Sequence, residues 1–126
     1  MNICSISEDK KTEKRISITP EIAKKYLNLG LKVILPENYG SHLGIKDNEF
    51  KDSGVEIITD ENEAIKKSDI IIQLGLLPED KLSLIKENQT IIGVLNSYKN
   101  KKTIEKLSKK KINSFSLELL PRITRA

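Results

Sequence analysis

Short apolar runs alternate with helical segments along the whole chain. The runs are rich in Ile, Leu and Val, and most are continuous rather than alternating, which is typical of strands buried on both faces of a parallel sheet. They fall at 2–6, 31–35, 55–58, 70–74, 90–95 and 113–117. The pattern predicts an α/β fold with an open, mostly parallel, doubly wound sheet in a flavodoxin- or Rossmann-like three-layer arrangement.

Helix signals lie between these runs. Thr19 is placed to cap a helix that begins at Pro20 and ends before Gly30, because these residue types favour those positions. Asp60 and Glu63 resemble a capping box at the start of another helix. Further helices are predicted at 47–53, from Pro78 to Asn88 with Leu82 and Ile85 facing inward, and around Ile104 and Leu107.

The longest irregular stretch, residues 7–18, follows the first predicted strand directly. Open α/β sheets bind ligands at the carboxyl ends of their strands. The stretch contains Arg15, which we therefore expect near a ligand crevice.

Composition excludes several classes of protein. The 126 residues suit one domain, and no run approaches the ~20 apolar residues of a membrane span. The chain has one cysteine, Cys4, and one histidine, His42. We therefore expect no internal disulfide and no metal site built from thiolates or imidazoles. A chain without disulfides suits a reducing compartment, so we expect it in the cytoplasm. The lysine runs are interleaved with acids and lack a basic stripe with aromatics, so we expect no nucleic-acid binding.

The arginines are more informative than the net charge. Only three of the 22 basic residues are arginines, namely Arg15, Arg122 and Arg125. A chain that otherwise uses lysine can keep arginine where its planar, bidentate fork matters. These residues form two candidate anion-binding sites, one at Arg15 and one at the carboxyl terminus.

Established catalytic and phosphate-binding motifs are missing from the sequence. It contains no G-x-G-x-x-G, no P-loop and no G-x-S-x-G elbow. Gly40 and Gly44 are typical of a turn, and His42 between them has no nucleophile at a recognisable spacing. The residues alone therefore predict an α/β domain without its own dinucleotide fingerprint and without an identifiable catalytic group.

Five short motifs, in order, resemble the alanine dehydrogenase and NAD(P) transhydrogenase alpha-subunit family. Residues 13–20 are similar to the family signature E-x-R-V-A-x-T-P, 29–33 to L-G-x-x-V, and 52–57 to x-A-G-A-x-I. Residues 69–73 resemble the strand that follows, and 119–126 resemble the transhydrogenase ending P-R-I-S-R-A.

The resemblance implies a function and roles for particular residues. It implies the NAD(H)-binding alpha subunit of a proton-translocating NAD(P) transhydrogenase, in which hydride passes between NADH and NADP. Arg122 then belongs to a loop that contacts the nicotinamide, with Arg125 as a further cofactor contact, and Arg15 lies in a substrate or anion cleft. Gly75 and Asn96 stand where alanine dehydrogenases carry a lysine and a histidine, so the amination chemistry is expected to be absent.

The resemblance also implies further domains and partners. Residues 1–126 match the single N-terminal domain, and the NAD-binding domain that follows in the family is not in the sequence. We expect the isolated chain to bind no cofactor and to be inactive, with NAD(H) as the cofactor of the complete enzyme. The expected partners are that NAD-binding domain, a second alpha subunit, and the NADP-binding and membrane components, with a cytoplasmic location peripheral to the inner membrane. Two alternatives stay open: half of an alanine or other amino-acid dehydrogenase, and a stand-alone binding or oligomerisation module.

Overall fold

The computed structural model describes residues 1–7, 15–75, 77–93 and 100–116. Within them, six strands form one sheet in the order β3-β2-β1-β4-β5-β6, and all five pairings are parallel. This is the strand order of the Rossmann fold, which confirms the predicted fold class. The elements are β1 Asn2–Cys4, α1 Pro20–Asn28, β2 Lys32–Pro36, α2 Asp47–Asp52, β3 Glu56–Ile58, α3 Glu61–Lys67, β4 Ile70–Gln73, α4 Glu79–Leu82, β5 Thr90–Gly93, α5 Lys101–Lys109 and β6 Asn113–Ser116.

Alternation along the strands produces the three layers. Ile3 packs into the core on the side of α1 and α2, whereas the next residue, Cys4, packs into the core on the side of α3, α4 and α5. In β2, Val33 and Ile34 divide between the two cores in the same way. β1 and β2 are thus apolar on both faces, which explains why their sequences read as continuous apolar runs.

Two helix starts confirm the sequence prediction. The Thr19 side chain accepts a hydrogen bond from the Ile22 N–H at 3.3 Å, and Pro20 is the first helical residue. The Asp60 carboxylate accepts from the Asn62 N–H at 2.9 Å and so caps α3. Short polar side chains at these positions satisfy N–H groups that a helix start leaves without partners.

The helix predicted from Pro78 to Asn88 is much shorter in the structure, where α4 ends at Leu82. Ser83 Oγ donates to the Asp80 carbonyl at 2.8 Å, and the N–H groups of Leu84 and Ile85 donate three residues back rather than four. These bonds tighten the segment into turns. Ile85 is buried as predicted. An apolar side chain at this position can face the core from a turn as well as from a helix.

An apolar strip crosses the β4–β6 side of the sheet, half-buried at its first two residues and exposed at the third. Ile72, Ile92 and Phe115 are adjacent in register across β4, β5 and β6, on the face where Ile72 joins the core of α1 and α2. Those helices contact β2 and β3 instead, and Phe115 is 56% exposed. Within the described residues, no helix has the length and apolar character needed to cross a membrane.

Candidate functional site at the switch point of the sheet

The chain order reverses between β1 and β4, and this determines where the candidate site lies. From β1 the sheet continues through β2 on one side and through β4 on the other. In such sheets the loops leaving these two strands diverge and leave a crevice at the carboxyl ends. We call this region, formed by residues 5–7, 15–18, Tyr39 and Gln73, the switch-point edge.

Gln73, at the end of β4, binds the chain that leaves β1. Its Oε1 accepts from the Ile6 N–H at 2.6 Å and from Ser5 Oγ at 3.0 Å, while its Nε2 donates to the Ile6 carbonyl at 3.2 Å. The side chain is 2% exposed. The amide thus supplies the donor and acceptor that a neighbouring strand would otherwise offer to Ile6, so β1 and β4 stay joined beyond their backbone pairing.

Tyr39 joins the next two segments to this pair. Its hydroxyl lies 2.7 Å from Ser5 Oγ and accepts from the Ser17 N–H at 3.0 Å and the Ile18 N–H at 3.3 Å. Because Gln73 Oε1 can only accept, Ser5 donates to Gln73, and the Tyr39 hydroxyl donates to Ser5. A directed chain of hydrogen bonds therefore links the ends of β1 and β4 to the segment after Arg15.

The local sequence explains how a tyrosine reaches this position. Asn38 adopts φ +60°, and its N–H donates to both carboxylate oxygens of Asp47 at 2.9 and 3.1 Å. At Gly40 a side chain would meet Ile45 at 3.0 Å and the Phe50 ring at 3.3 Å, so glycine lets the loop turn closely over the core. The Tyr39 ring packs edge-on against Phe50, with centroids 5.9 Å apart, and this contact fixes the direction in which its hydroxyl points.

The structure describes only some of the residues singled out from the sequence. Arg15 is exposed and lies two residues before Ser17, as expected for a residue at the carboxyl edge. Gly75 follows β4 at the same edge and brings no side chain to it. Arg122, Arg125 and Asn96 lie outside the described residues, so their roles remain predictions.

Sequence reasoning missed Ser5, Tyr39 and Gln73. Two of them left a signal, because Ser5 and Gln73 are polar residues in otherwise apolar strand runs, and a buried polar side chain needs partners. Tyr39 left none, since its role depends on segments that are 22 and 34 residues away. The described residues include no group of three His, Cys, Asp or Glu side chains that could hold a metal ion.

Ser17 Oγ is buried and has no hydrogen-bond partner, the one such side-chain atom found among the described residues. An unsatisfied buried hydroxyl destabilises the fold. We expect Ser17→Ala to raise the free energy of unfolding by about 1 kcal/mol and the melting temperature by about 4 °C. Thermal melts would check this, with Ser5→Ala as the matched control that should lower stability because Ser5 has partners. If Ser17→Ala were less stable than the wild-type chain, Ser17 Oγ would have a hydrogen-bond partner after all.

Comparison with known proteins identifies the family. A family model described as "Alanine dehydrogenase/PNT, N-terminal domain" matches residues 5–126, nearly the whole chain. The chain belongs to this family. The matched residues include all those that form the switch-point edge.

Relatives come from both branches of the alanine dehydrogenase/transhydrogenase family. The chain is 32% identical to an NAD(P) transhydrogenase alpha-subunit polypeptide of Rhodospirillum rubrum over 131 residues, covering 100% of this chain and 34% of that protein. It is 28% identical to alanine dehydrogenase 1 of Staphylococcus aureus, covering 95% of this chain and 32% of that protein. A solved transhydrogenase from Sinorhizobium meliloti shares the fold with a TM-score of 0.90 at 24% identity, covering 98% of this chain and 37% of that one. The chain thus spans about a third of the length of the proteins it matches.

Proposed function

We propose that this chain is the N-terminal segment of the NAD(H)-binding alpha subunit of an NAD(P) transhydrogenase. The observation that carries the proposal is the match to the transhydrogenase subunit of Rhodospirillum rubrum along the whole chain. The geometry agrees with it, because the switch-point edge is where sheets of this order bind dinucleotides.

The chain's own residues fit one end of a dinucleotide rather than the whole molecule. The sequence lacks the glycine-rich turn that holds a pyrophosphate. The hydroxyl and amide groups of Ser5, Tyr39 and Gln73 are buried and bonded to one another, so they would shape the edge against which the nicotinamide end lies, with the exposed Arg15 beside it. When bound, NADH supplies the hydride; the chain would orient the ring and exclude water, which is what direct transfer between two rings requires.

Arginine forks complete the proposed contacts. Arg122 would hydrogen-bond the carboxamide of the nicotinamide or a carboxylate of the loop around it, with Arg125 as a second cofactor contact. Arg15 would hold an anionic group in the cleft. The pyrophosphate would be held by a following NAD-binding domain.

The apolar strip formed by Ile72, Ile92 and Phe115 is consistent with the proposal that this chain is part of a longer subunit. Phe115, 56% exposed at the end of the half-buried strip, offers an apolar contact that further chain or another subunit could cover. We propose that the remainder of the longer subunit covers this strip. Dimerisation of alpha subunits, assembly with NADP-binding and membrane components, coupling to proton translocation and a cytoplasmic position peripheral to the inner membrane belong to the same proposal.

The alternative that the chain is half of an alanine dehydrogenase is disfavoured at Gly75. This residue lies at the end of β4, on the edge where such an enzyme would need a side chain for its substrate. Without that side chain, the proposed hydride acceptor is a second nicotinamide rather than an imino acid.

The test uses this chain joined to the part of the Rhodospirillum rubrum relative that lies beyond the match, supplied with the NADP-binding component and an oxidised NADP analogue as the hydride acceptor. Arg122→Lys keeps the charge but loses the bidentate fork. We expect hydride transfer from NADH to fall roughly tenfold, equivalent to ~1.4 kcal/mol, while the melting temperature is unchanged. Arg125→Lys is the companion variant and should have a smaller effect. If Arg122→Lys transferred hydride at the rate of the parent protein, Arg122 would not be a nicotinamide contact.

A further inference from the structure

We propose that Tyr39 is a positioning residue: its hydroxyl fixes the segment that carries Arg15 across the carboxyl ends of β1 and β4. The restraint on the loop rests on the geometry alone. Its consequence for ligand binding rests on the proposed function.

Three groups meet at the Tyr39 hydroxyl. Two consecutive backbone N–H groups, those of Ser17 and Ile18, donate to Tyr39 Oη at 3.0 and 3.3 Å, and Ser5 Oγ lies 2.7 Å away. Tyr39 and Ile18 are 1% and 0% exposed. A buried N–H that loses its partner is costly, so this oxygen determines where the two residues lie.

The segment that Tyr39 binds has no regular structure of its own. Residues 15–19 belong to no strand or helix and lead directly into α1 at Pro20. Ile16 and Ile18 pack into the core of α1 and α2, which fixes the depth of the segment. Apolar packing is not directional, whereas the two N–H bonds to one oxygen also fix its rotation and its register along the edge.

Arg15 lies close enough to this anchor to depend on it. A chain extends at most about 3.6 Å per residue, so the Arg15 backbone lies within about 7 Å of the restrained Ser17 backbone. A change in rotation at Ser17 would therefore re-aim the Arg15 side chain. Tyr39 acts on the crevice through the loop and needs no contact with a ligand.

Hydrogen exchange on the full 126-residue chain tests the restraint directly. In the wild-type chain we expect the amides of Ser17 and Ile18 to be protected to within about tenfold of the strand amides of Ile34 and Ile71, although they lie outside the sheet. In Tyr39→Phe they should exchange at least tenfold faster relative to those strand amides. Exchange of Ser17 and Ile18 at unstructured rates in the wild-type chain would overturn the proposal even if Tyr39→Phe did not fold.

Two control variants separate positioning from general stability. Tyr26→Phe also removes a phenol hydroxyl, from α1, and should leave the Ser17 and Ile18 amides unchanged. Val55→Ala weakens the same core and should raise exchange at all these amides together. If Tyr39→Phe behaves like Val55→Ala, Tyr39 is only a core residue and the proposal fails.

The effect on the ligand is tested in the joined protein used for Arg122. We expect Tyr39→Phe to lower kcat for hydride transfer about tenfold while the Kd for NADH changes less than twofold, and Val55→Ala to change neither below its melting temperature. Faster loop exchange with an unchanged kcat would confirm the restraint and overturn its role in the crevice. A parent protein that folds and binds NADH but transfers no hydride would overturn the proposed function and leave the exchange result standing.

Discussion

Replacing Gln73 with leucine is expected to lower the free energy of unfolding by about 3 kcal/mol. Leucine has a similar volume, so packing between the two cores is kept. The substitution leaves the Ile6 N–H, the Ile6 carbonyl and the Ser5 hydroxyl without the partners that Gln73 provides at 2.6, 3.2 and 3.0 Å. Each buried group left unsatisfied costs about 1–3 kcal/mol, partly relieved by relaxation.

Urea denaturation measures this loss, and Gln89→Leu is the matched control. Gln89 is also buried, and its Nε2 donates to the carbonyls of Ile65 and Ser68 at 2.7 and 2.6 Å, away from the switch-point edge. Both variants should lose stability, but only Gln73→Leu should speed amide exchange at Ile6. A loss below about 1 kcal/mol in Gln73→Leu would show that Gln73 does not join β1 to β4.

We expect thiol reagents to label Cys4 at least about 1,000-fold more slowly in the folded chain than in the chain unfolded by denaturant. The side chain is 0% exposed, and burial raises the pKa of the thiol to about 11, against a smaller lowering by a hydrogen bond with Ser68. The thiolate is the reactive form, so labelling requires opening of the central strand, which costs about 5 kcal/mol or more. Rapid labelling of the native chain at pH 8 would contradict the placement of β1.

The same pKa shift predicts a loss of stability at high pH. The unfolded chain releases the thiol proton near its ordinary pKa of 9.0, whereas the folded chain holds it up to about 11. The contribution is therefore fully present below about pH 9 and is lost as pH rises toward 11, by about 2–3 kcal/mol in all. Cys4→Ala should not show this loss of stability at high pH. If the free energy of unfolding fell with pH at the same rate in Cys4→Ala and in the wild-type chain, the raised pKa of Cys4 would be contradicted.

The layers of the fold could be predicted because they follow from local patterns. Continuous apolar runs indicated the strands, and Thr19 and Asp60 marked two helix starts. The end of α4 could not be predicted, because Ser83 competes for a carbonyl that a longer helix would use. Local competition of this kind depends on side-chain rotamers rather than on periodicity.

The switch-point edge was only half predictable from the sequence. The position after the first strand predicted that the segment containing Arg15 lies at the carboxyl edge, because carboxyl ends of parallel strands share one edge, and the role of Arg15 in binding stays a prediction. The network of Ser5, Tyr39 and Gln73 could not be derived, since it joins residues up to 68 positions apart. The five short motifs predicted the family, and the match over residues 5–126 confirms it, whereas neither the geometry nor the composition is specific to one family.

Hydride transfer by the joined protein shows whether this chain works as part of a transhydrogenase. This chain is fused to the part of the Rhodospirillum rubrum relative that lies beyond the match, supplied with the NADP-binding component, and given NADH and an oxidised NADP analogue. We expect transfer at least tenfold faster than that of the same part without this chain, because we propose that the chain orients the nicotinamide. A fused protein that folds and binds NADH, yet transfers hydride no faster than the same part without this chain, would contradict this proposal.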